Sequence, residues 1–88
     1  MGNISFVILN YKTYQEAIAC TESIFASQTY EDIRVVIVDN GSGNESVVAL
    51  RERFGEDERV HLVTSPENLG FAKGNNLGIA YAREHVDP

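Results

Sequence analysis

The run Val35-Val36-Ile37-Val38-Asp39-Asn40-Gly41-Ser42 constrains this chain more than any other stretch. Four β-branched aliphatics in succession leave no polar face. A strand made of them is buried on both sides, as in a parallel sheet covered by helices. The run ends abruptly in a carboxylate, an Asn-Gly pair and a hydroxyl. An open α/β sheet collects its ligands at such carboxyl ends. Asn-Gly is equally a hairpin signal, and an Asp can simply start a turn. Taken alone, the stretch fits a turn as well as it fits a binding site.

The segments on either side remove the hairpin. Residues 4–9 read as a first strand that ends in Asn10-Tyr11-Lys12-Thr13. From residue 14 to about 27, apolar side chains at Ala17, Ile18, Ile24 and Phe25, with Thr21 among them, follow helical spacing. Thr13 is the expected N-cap, with Glu16 three positions on. A polar connection leads to the second strand, residues 33–38. Residues 41–44 are a loop, and residues 45–54 a helix with Val47, Leu50 and Phe54 on one side and Glu52 pointing away. That spacing of three to four is not the period of two a hairpin needs. Gly55 is the expected C′ residue of this helix. A charged turn, a third strand at 60–64, a breaker at 65–68 and a third helix over 70–85 complete the order β-α-β-α-β-α. The fold class is therefore α/β, a three-layer α/β/α arrangement on a parallel sheet. Strand one is expected centrally, strand two beside it and strand three outside that. Their carboxyl ends then bring Asn10-Tyr11, Asp39-Asn40 and Asn68-Leu69-Gly70 to one edge.

Composition excludes several function classes. Eighty-eight residues make one small domain. A net charge of -6 with no basic stripe argues against nucleic acid as a partner. The single Cys20 excludes an intrachain disulfide, and its apolar helical surroundings suggest a buried structural thiol. No stretch is apolar for long enough to cross a bilayer, and the first strand lacks signal-peptide flanks, so a cytoplasmic setting is expected. His61 and His85 have no Cys or carboxylate at metal-ligand spacing. Neither a Gly-x-Gly-x-x-Gly turn nor a P-loop is present.

The third helix carries the most information. Gly74, Asn75, Asn76 and Gly78 together give up a few kcal/mol, roughly, of helix propensity, so something else must compensate. Gly70, Gly74 and Gly78 recur every fourth residue and share one face, where a backbone can approach closely. Amides at Asn75 and Asn76 both donate and accept, which suits a base or ribose edge. Asp39 can accept from a base N–H or a ribose hydroxyl, Tyr11 can stack on a base, and Lys73 can approach a phosphate. Each has a purely structural counterpart: a half-buried tyrosine, a solvated lysine, an Asn76 bonded to a neighbouring loop, and tight helix–sheet packing at Gly74 and Gly78. The candidate ligand-binding set is Asn10, Tyr11, Asp39, Asn40, Gly70, Lys73, Asn75 and Asn76.

Three motifs in order, Ile-Leu-Asn-Tyr-Lys, Val-Val-Ile-Val-Asp-Asn-Gly-Ser and Asn-Leu-Gly-Phe-Ala-Lys-Gly-Asn-Asn-Leu-Gly-Ile, resemble the start of the family-two inverting glycosyltransferases of GT-A fold. The resemblance covers nearly the whole chain and is nearest to the rhamnosyltransferase-like bacterial members. It implies that Tyr11 and Asp39 contact the nucleotide base and that Asn75 and Asn76 line the nucleoside pocket. Many members carry an Arg where Asn75 stands. The implied donor is a UDP- or dTDP-sugar, and the implied acceptor a saccharide or lipid-linked saccharide of polysaccharide biosynthesis. The implied setting is the cytoplasm or the inner face of the membrane. A divalent metal (Mg or Mn) is expected for the full enzyme, with its Asp-x-Asp-like ligands and the general base beyond Pro88. Residues 1–88 are thus expected to be one truncated domain, the N-terminal donor-binding portion, inactive in isolation and with no catalytic or metal-ligating residue of its own. The sheet is expected to leave an edge of strand one open to self-association. A non-catalytic α/β nucleotide-binding or assembly module is the alternative, since architecture alone does not give function. A receiver-like domain needs an acidic pair after strand one, and Asn10-Tyr11-Lys12 supplies none.

Overall fold

The apolar run becomes the middle strand of the sheet. In the computed structural model, which describes residues 4–26 and 33–86, Val35, Val36, Ile37 and Val38 are at most 1% exposed. They lie in β2 (Ile33–Asn40), flanked by β1 (Ile4–Asn10) and β3 (Val60–Ser65). Both pairings are parallel, and the order is β1-β2-β3. β2 runs two residues further than its aliphatic run, because Asp39 and Asn40 still pair with Asn10, Thr64 and Ser65 across the ladder.

Alternate residues of β2 feed two separate cores. Val35 and Ile37 pack with Ala17 of α1 (Tyr14–Ala26) and with Leu50 and Phe54 of α2 (Ser46–Phe54). Val36 and Val38 face the other way, toward Leu77 and Tyr81 of α3 (Phe71–Tyr81) and toward Ala82. The three layers expected from the β-α alternation are therefore present. Each fully buried Val, Ile or Leu contributes up to about 1.5–3 kcal/mol relative to exposure, so β2 dominates the apolar stabilisation.

α3 lies very close to the sheet. A Cβ at Gly74 would sit 2.7 Å from a Leu9 methyl and 3.0 Å from Asn40 Nδ2, and one at Gly78 would sit 2.5 Å from a Val7 methyl. Close helix–sheet packing thus compensates the poor helix propensity at both glycines. Gly70 differs. It has open space around it and, at φ 85° and ψ 167°, an extended positive-φ backbone open essentially to glycine alone, from which the helix starts.

Several local expectations need correction. The strand order and the free outer edge of β1 are as expected, but among the described residues β2, not β1, is the central strand. Cys20 is exposed, because Ala17 and Thr21, one helical turn apart, take the sheet-facing line and Cys20 falls a quarter-turn from it. The Thr13 hydroxyl donates to Asn10 Oδ1 at 3.4 Å, while its carbonyl accepts the Glu16 and Ala17 N–H groups. Gly55 ends α2 where expected, but in the right-handed region at φ -59°, donating its N–H to the Arg51 carbonyl. The third helix stays α-helical only to Tyr81, and residues 82–86 form a π-helical turn. The polar connection of residues 28–32 and the predicted helix end at Ser27 lie outside the described residues.

That π turn is held against β3 by rings. His61 Nδ1 and the Tyr81 hydroxyl are 3.3 Å apart, and the Tyr81 and His85 ring centroids 4.6 Å. Burial pushes His61 below its ordinary value of 6.5, and the neighbouring charges of Arg34 and His85 push it the same way. A depressed histidine pKa means that the fold favours the neutral ring. Its contribution to stability is full above the ordinary value and is lost as pH falls below it. Thermal unfolding followed at pH 7.5 and pH 5.5 is expected to show a lower Tm at the acid end. His61→Gln should flatten part of that slope, and an unchanged slope in the variant would remove His61 from the account.

Candidate functional site

The three strand ends and the loops that leave them form one polar edge. The register places Asn10 beside Asp39 and Asp39 beside Thr64. Asp39 is 2% exposed, and neutral donors meet its carboxylate. Oδ1 accepts from Asn10 Nδ2 at 2.9 Å and from the Ser42 hydroxyl at 2.7 Å, and Oδ2 accepts the Ser42 N–H at 3.2 Å. Three hydrogen bonds from neutral donors fix the orientation of this carboxylate. The Ser42 oxygen also accepts the Lys12 N–H at 2.8 Å. One hydroxyl thereby ties the β1–α1 loop to the β2–α2 loop.

A second network hangs on Asn40, also 2% exposed. Its Nδ2 donates to Asn68 Oδ1 at 3.1 Å and to the Gly70 carbonyl at 3.2 Å, and its Oδ1 accepts the Leu69 N–H at 3.0 Å. The Asn40 amide thus holds the turn that leads into α3. Gly41, at φ 70°, lies so close to this turn that a Cβ would overlap the backbone of Glu67 and Asn68. The Ser65 hydroxyl donates to the Glu67 carbonyl and steadies the same segment.

The candidate residues fall into two groups. Asn10, Asp39 and Asn40 are buried and spend their polar atoms on these networks. Tyr11, Gly70, Lys73 and Asn76 are exposed and Asn75 is half-buried. Tyr11 is 41% exposed directly after β1 and follows Asn10, the ladder partner of Asp39. Lys73, Asn75 and Asn76 follow in the first turns of α3, with Asn76 on the side away from the sheet-facing Gly74 and Gly78.

Two residues of the edge escaped the sequence reading. Ser42 is the hub of the first network, and its signal was the Asp-x-x-Ser spacing of a side-chain-stabilised turn. Lys12 adopts φ 65°, the one non-glycine in the left-handed region among the described residues. That conformation costs about 1–2 kcal/mol for an ordinary residue. The hydrogen bond to Ser42 and an exposed contact of its Nζ with the Tyr11 ring, 5.2 Å from the centroid, offset roughly that much. No spacing in the sequence announces this conformation.

Among the described residues no three His, Cys, Asp or Glu side chains converge. None of the described helices is long and apolar enough to cross a membrane.

Comparison with known proteins agrees with this arrangement. Residues 5–86 match the family described as glycosyl transferase family 2. A glycosyltransferase named GlyG from Streptococcus pneumoniae is 32% identical over 91% of this chain and 26% of its own length. A low-salt glycan biosynthesis hexosyltransferase from Haloferax volcanii is 29% identical over 99% of this chain and 25% of its own. The dTDP-rhamnosyl transferase RfbF from Shigella flexneri is 30% identical over 94% of this chain and 26% of its own. The chain thus spans about a quarter of the length of these curated relatives. Its parallel sheet with helices on both faces is the arrangement of the N-terminal half of a GT-A fold, and the chain belongs to glycosyl transferase family 2.

Proposed function

We propose that this chain is the donor-binding portion of a longer glycosyltransferase, and that its polar edge holds the nucleoside of a nucleoside-diphosphate sugar. One observation carries the reading: Asn10 and Ser42 fix the Asp39 carboxylate at the end of the central strand, and the exposed Tyr11 directly follows Asn10, the residue paired with Asp39 across the ladder. An oriented acceptor next to an aromatic face suits a base, which offers N–H donors in its plane and a π surface above it. Asn75 and Asn76, in the first turns of α3, would meet the nucleoside, with Gly70 at the start of that helix. The name of the Shigella relative, a dTDP-rhamnosyl transferase, supports a dTDP-sugar as donor, with a UDP-sugar as the other candidate.

In the complete enzyme the sugar would pass to a hydroxyl of a saccharide or lipid-linked saccharide with inversion. A general base would remove the acceptor proton as the diphosphate leaves. A divalent ion, Mg or Mn, would be held by residues outside this chain in our reading. The isolated 88-residue chain should accordingly bind donor without transferring sugar. We place the enzyme in polysaccharide biosynthesis, in the cytoplasm or at the inner face of the membrane.

Titration calorimetry with UDP, dTDP, GDP and ADP, with and without manganese, tests the reading. The expected result is binding of a pyrimidine diphosphate in preference to the purine ones. Equal heats for all four, or none at millimolar ligand, would overturn it. Self-association through the free β1 edge without nucleotide binding would point to an assembly module instead.

A further inference from the structure

We infer that Lys12 is the residue of this edge that meets the phosphates of the ligand, leaving the Tyr11 ring as the base arrives. This inference rests on the nucleotide reading above and names the cation within it. Gly41, Gly43 and Gly70 also take positive φ in these loops, and there the sequence gives up the side chain. At Lys12 it keeps one, and keeps it charged, in the same strained region.

The placement of that charge is specific. The Ser42 hydroxyl accepts the Lys12 N–H and donates to Asp39 Oδ1, so one oxygen fixes the backbone that carries the cation and the carboxylate beside it. A ligand with hydrogen-bond donors at one end and negative charge at the other matches that pair. A nucleoside diphosphate has both. Among the described residues Lys12 makes no ion pair. Its Nζ lies 5.2 Å from the centroid of the Tyr11 ring, on a face that a base could not share with it. A base stacking on that face displaces the ammonium from a weak, solvated contact, and the phosphates offer it a stronger one. Lys73, the rival cation, is exposed on α3 next to the sheet-packed Gly74 and has no such tie to Asp39.

The test compares nucleoside with nucleoside diphosphate, using uridine with UDP and thymidine with dTDP. Titrations are run in metal-free buffer of low ionic strength, so that neither ions nor salt mask the phosphates. The unmodified chain should bind the diphosphate of its preferred base on the order of tenfold more tightly than the nucleoside, the size of one charge-assisted contact. Lys12→Gln should reduce that advantage to about twofold while leaving nucleoside affinity unchanged or raised, because the ring face is then free. Lys12→Gly should bind like Lys12→Gln but with a higher Tm, since it relieves the left-handed backbone. Arg51→Gln, on the exposed face of α2, controls for net charge and should keep the full advantage.

Equal weakening of both ligands by Lys12→Gln would make Lys12 a mere loop anchor and overturn the inference. So would a preserved advantage in that variant, or its loss in Lys73→Gln instead. Equal binding of nucleoside and diphosphate by the unmodified chain would refute the role of Lys12 but leave the base reading standing. Binding of neither would remove the nucleotide reading itself, and this inference with it.

Discussion

Gly41→Ala is expected to lower the unfolding free energy by about 2–4 kcal/mol, a Tm drop on the order of 10–30 °C in a domain of this size. Two separate penalties add. The φ of 70° puts any L side chain in the left-handed region, at about 1–2 kcal/mol. The new methyl would also overlap the Glu67 and Asn68 backbone, which cannot rotate aside as a side chain could. The 65–70 turn would have to move away. That displacement strains the bonds from Asn40 to Asn68, Leu69 and Gly70 that hold it. Gly43→Ala is the matched control. It has the same φ but nothing within 4 Å of its Cβ, so only the backbone penalty applies. Equal losses for the two variants, measured by denaturant unfolding, would show that the contact with the turn is not what matters.

That contrast also shows what the sequence could and could not reveal. The helix-and-strand order was legible because β-branched runs and three-to-four spacing report which faces are buried. Val35 to Val38 and the Ala17–Thr21 line behave as that logic requires. The extension of β2 through Asp39 and Asn40 was not legible, because polar residues in a strand depend on partners about 30 residues away. Cys20 was misplaced for a related reason. An apolar helical stripe fixes its centre, here Ala17 and Thr21, better than its flanks. Gly55 was expected to close α2, and it does, but the residue type alone does not say in which conformation.

At the site, Asp39 and Tyr11 could be singled out from their position at strand ends. The local turn of Ser42 onto Asp39 has a signal in the Asp-x-x-Ser spacing, but its tie to Lys12 has none, since that exists only where the β1–α1 loop reaches it. Asn10 and Asn40 show the converse. Both stand at the right edge for ligand contact, and the structure reveals how much of their hydrogen-bonding capacity holds neighbouring loops in place. Two buried amides and a hydroxyl thus build the frame, and the exposed Tyr11 and Lys12 stand on it. The edge is pre-organised by residues that need never touch a ligand.

In the proposed reading Asp39 serves both the frame and the ligand, and two substitutions separate these roles. Asp39→Ala removes the acceptor for the buried Asn10 Nδ2, the Ser42 hydroxyl and the Ser42 N–H together. Orphaned buried donors cost about 1–3 kcal/mol each, though partial repacking shares the loss, so about 3 kcal/mol of stability should go. Asp39→Asn keeps the volume and one acceptor oxygen, which can still serve Asn10 and the Ser42 hydroxyl. Its amide nitrogen then faces the Ser42 N–H, donor against donor, at a cost of about 1–2 kcal/mol. The Asn variant should therefore fold, and at its folding temperature nucleoside binding should weaken by about 10–100-fold, because a neutral amide replaces the charged acceptor. If the Asn variant bound its preferred nucleoside as tightly as the parent while losing stability, Asp39 would belong to the frame alone. If instead it kept full stability and lost binding, the hydrogen bonds to Asn10 and Ser42 would be incidental, and the carboxylate would be held ready for the ligand by its position in β2.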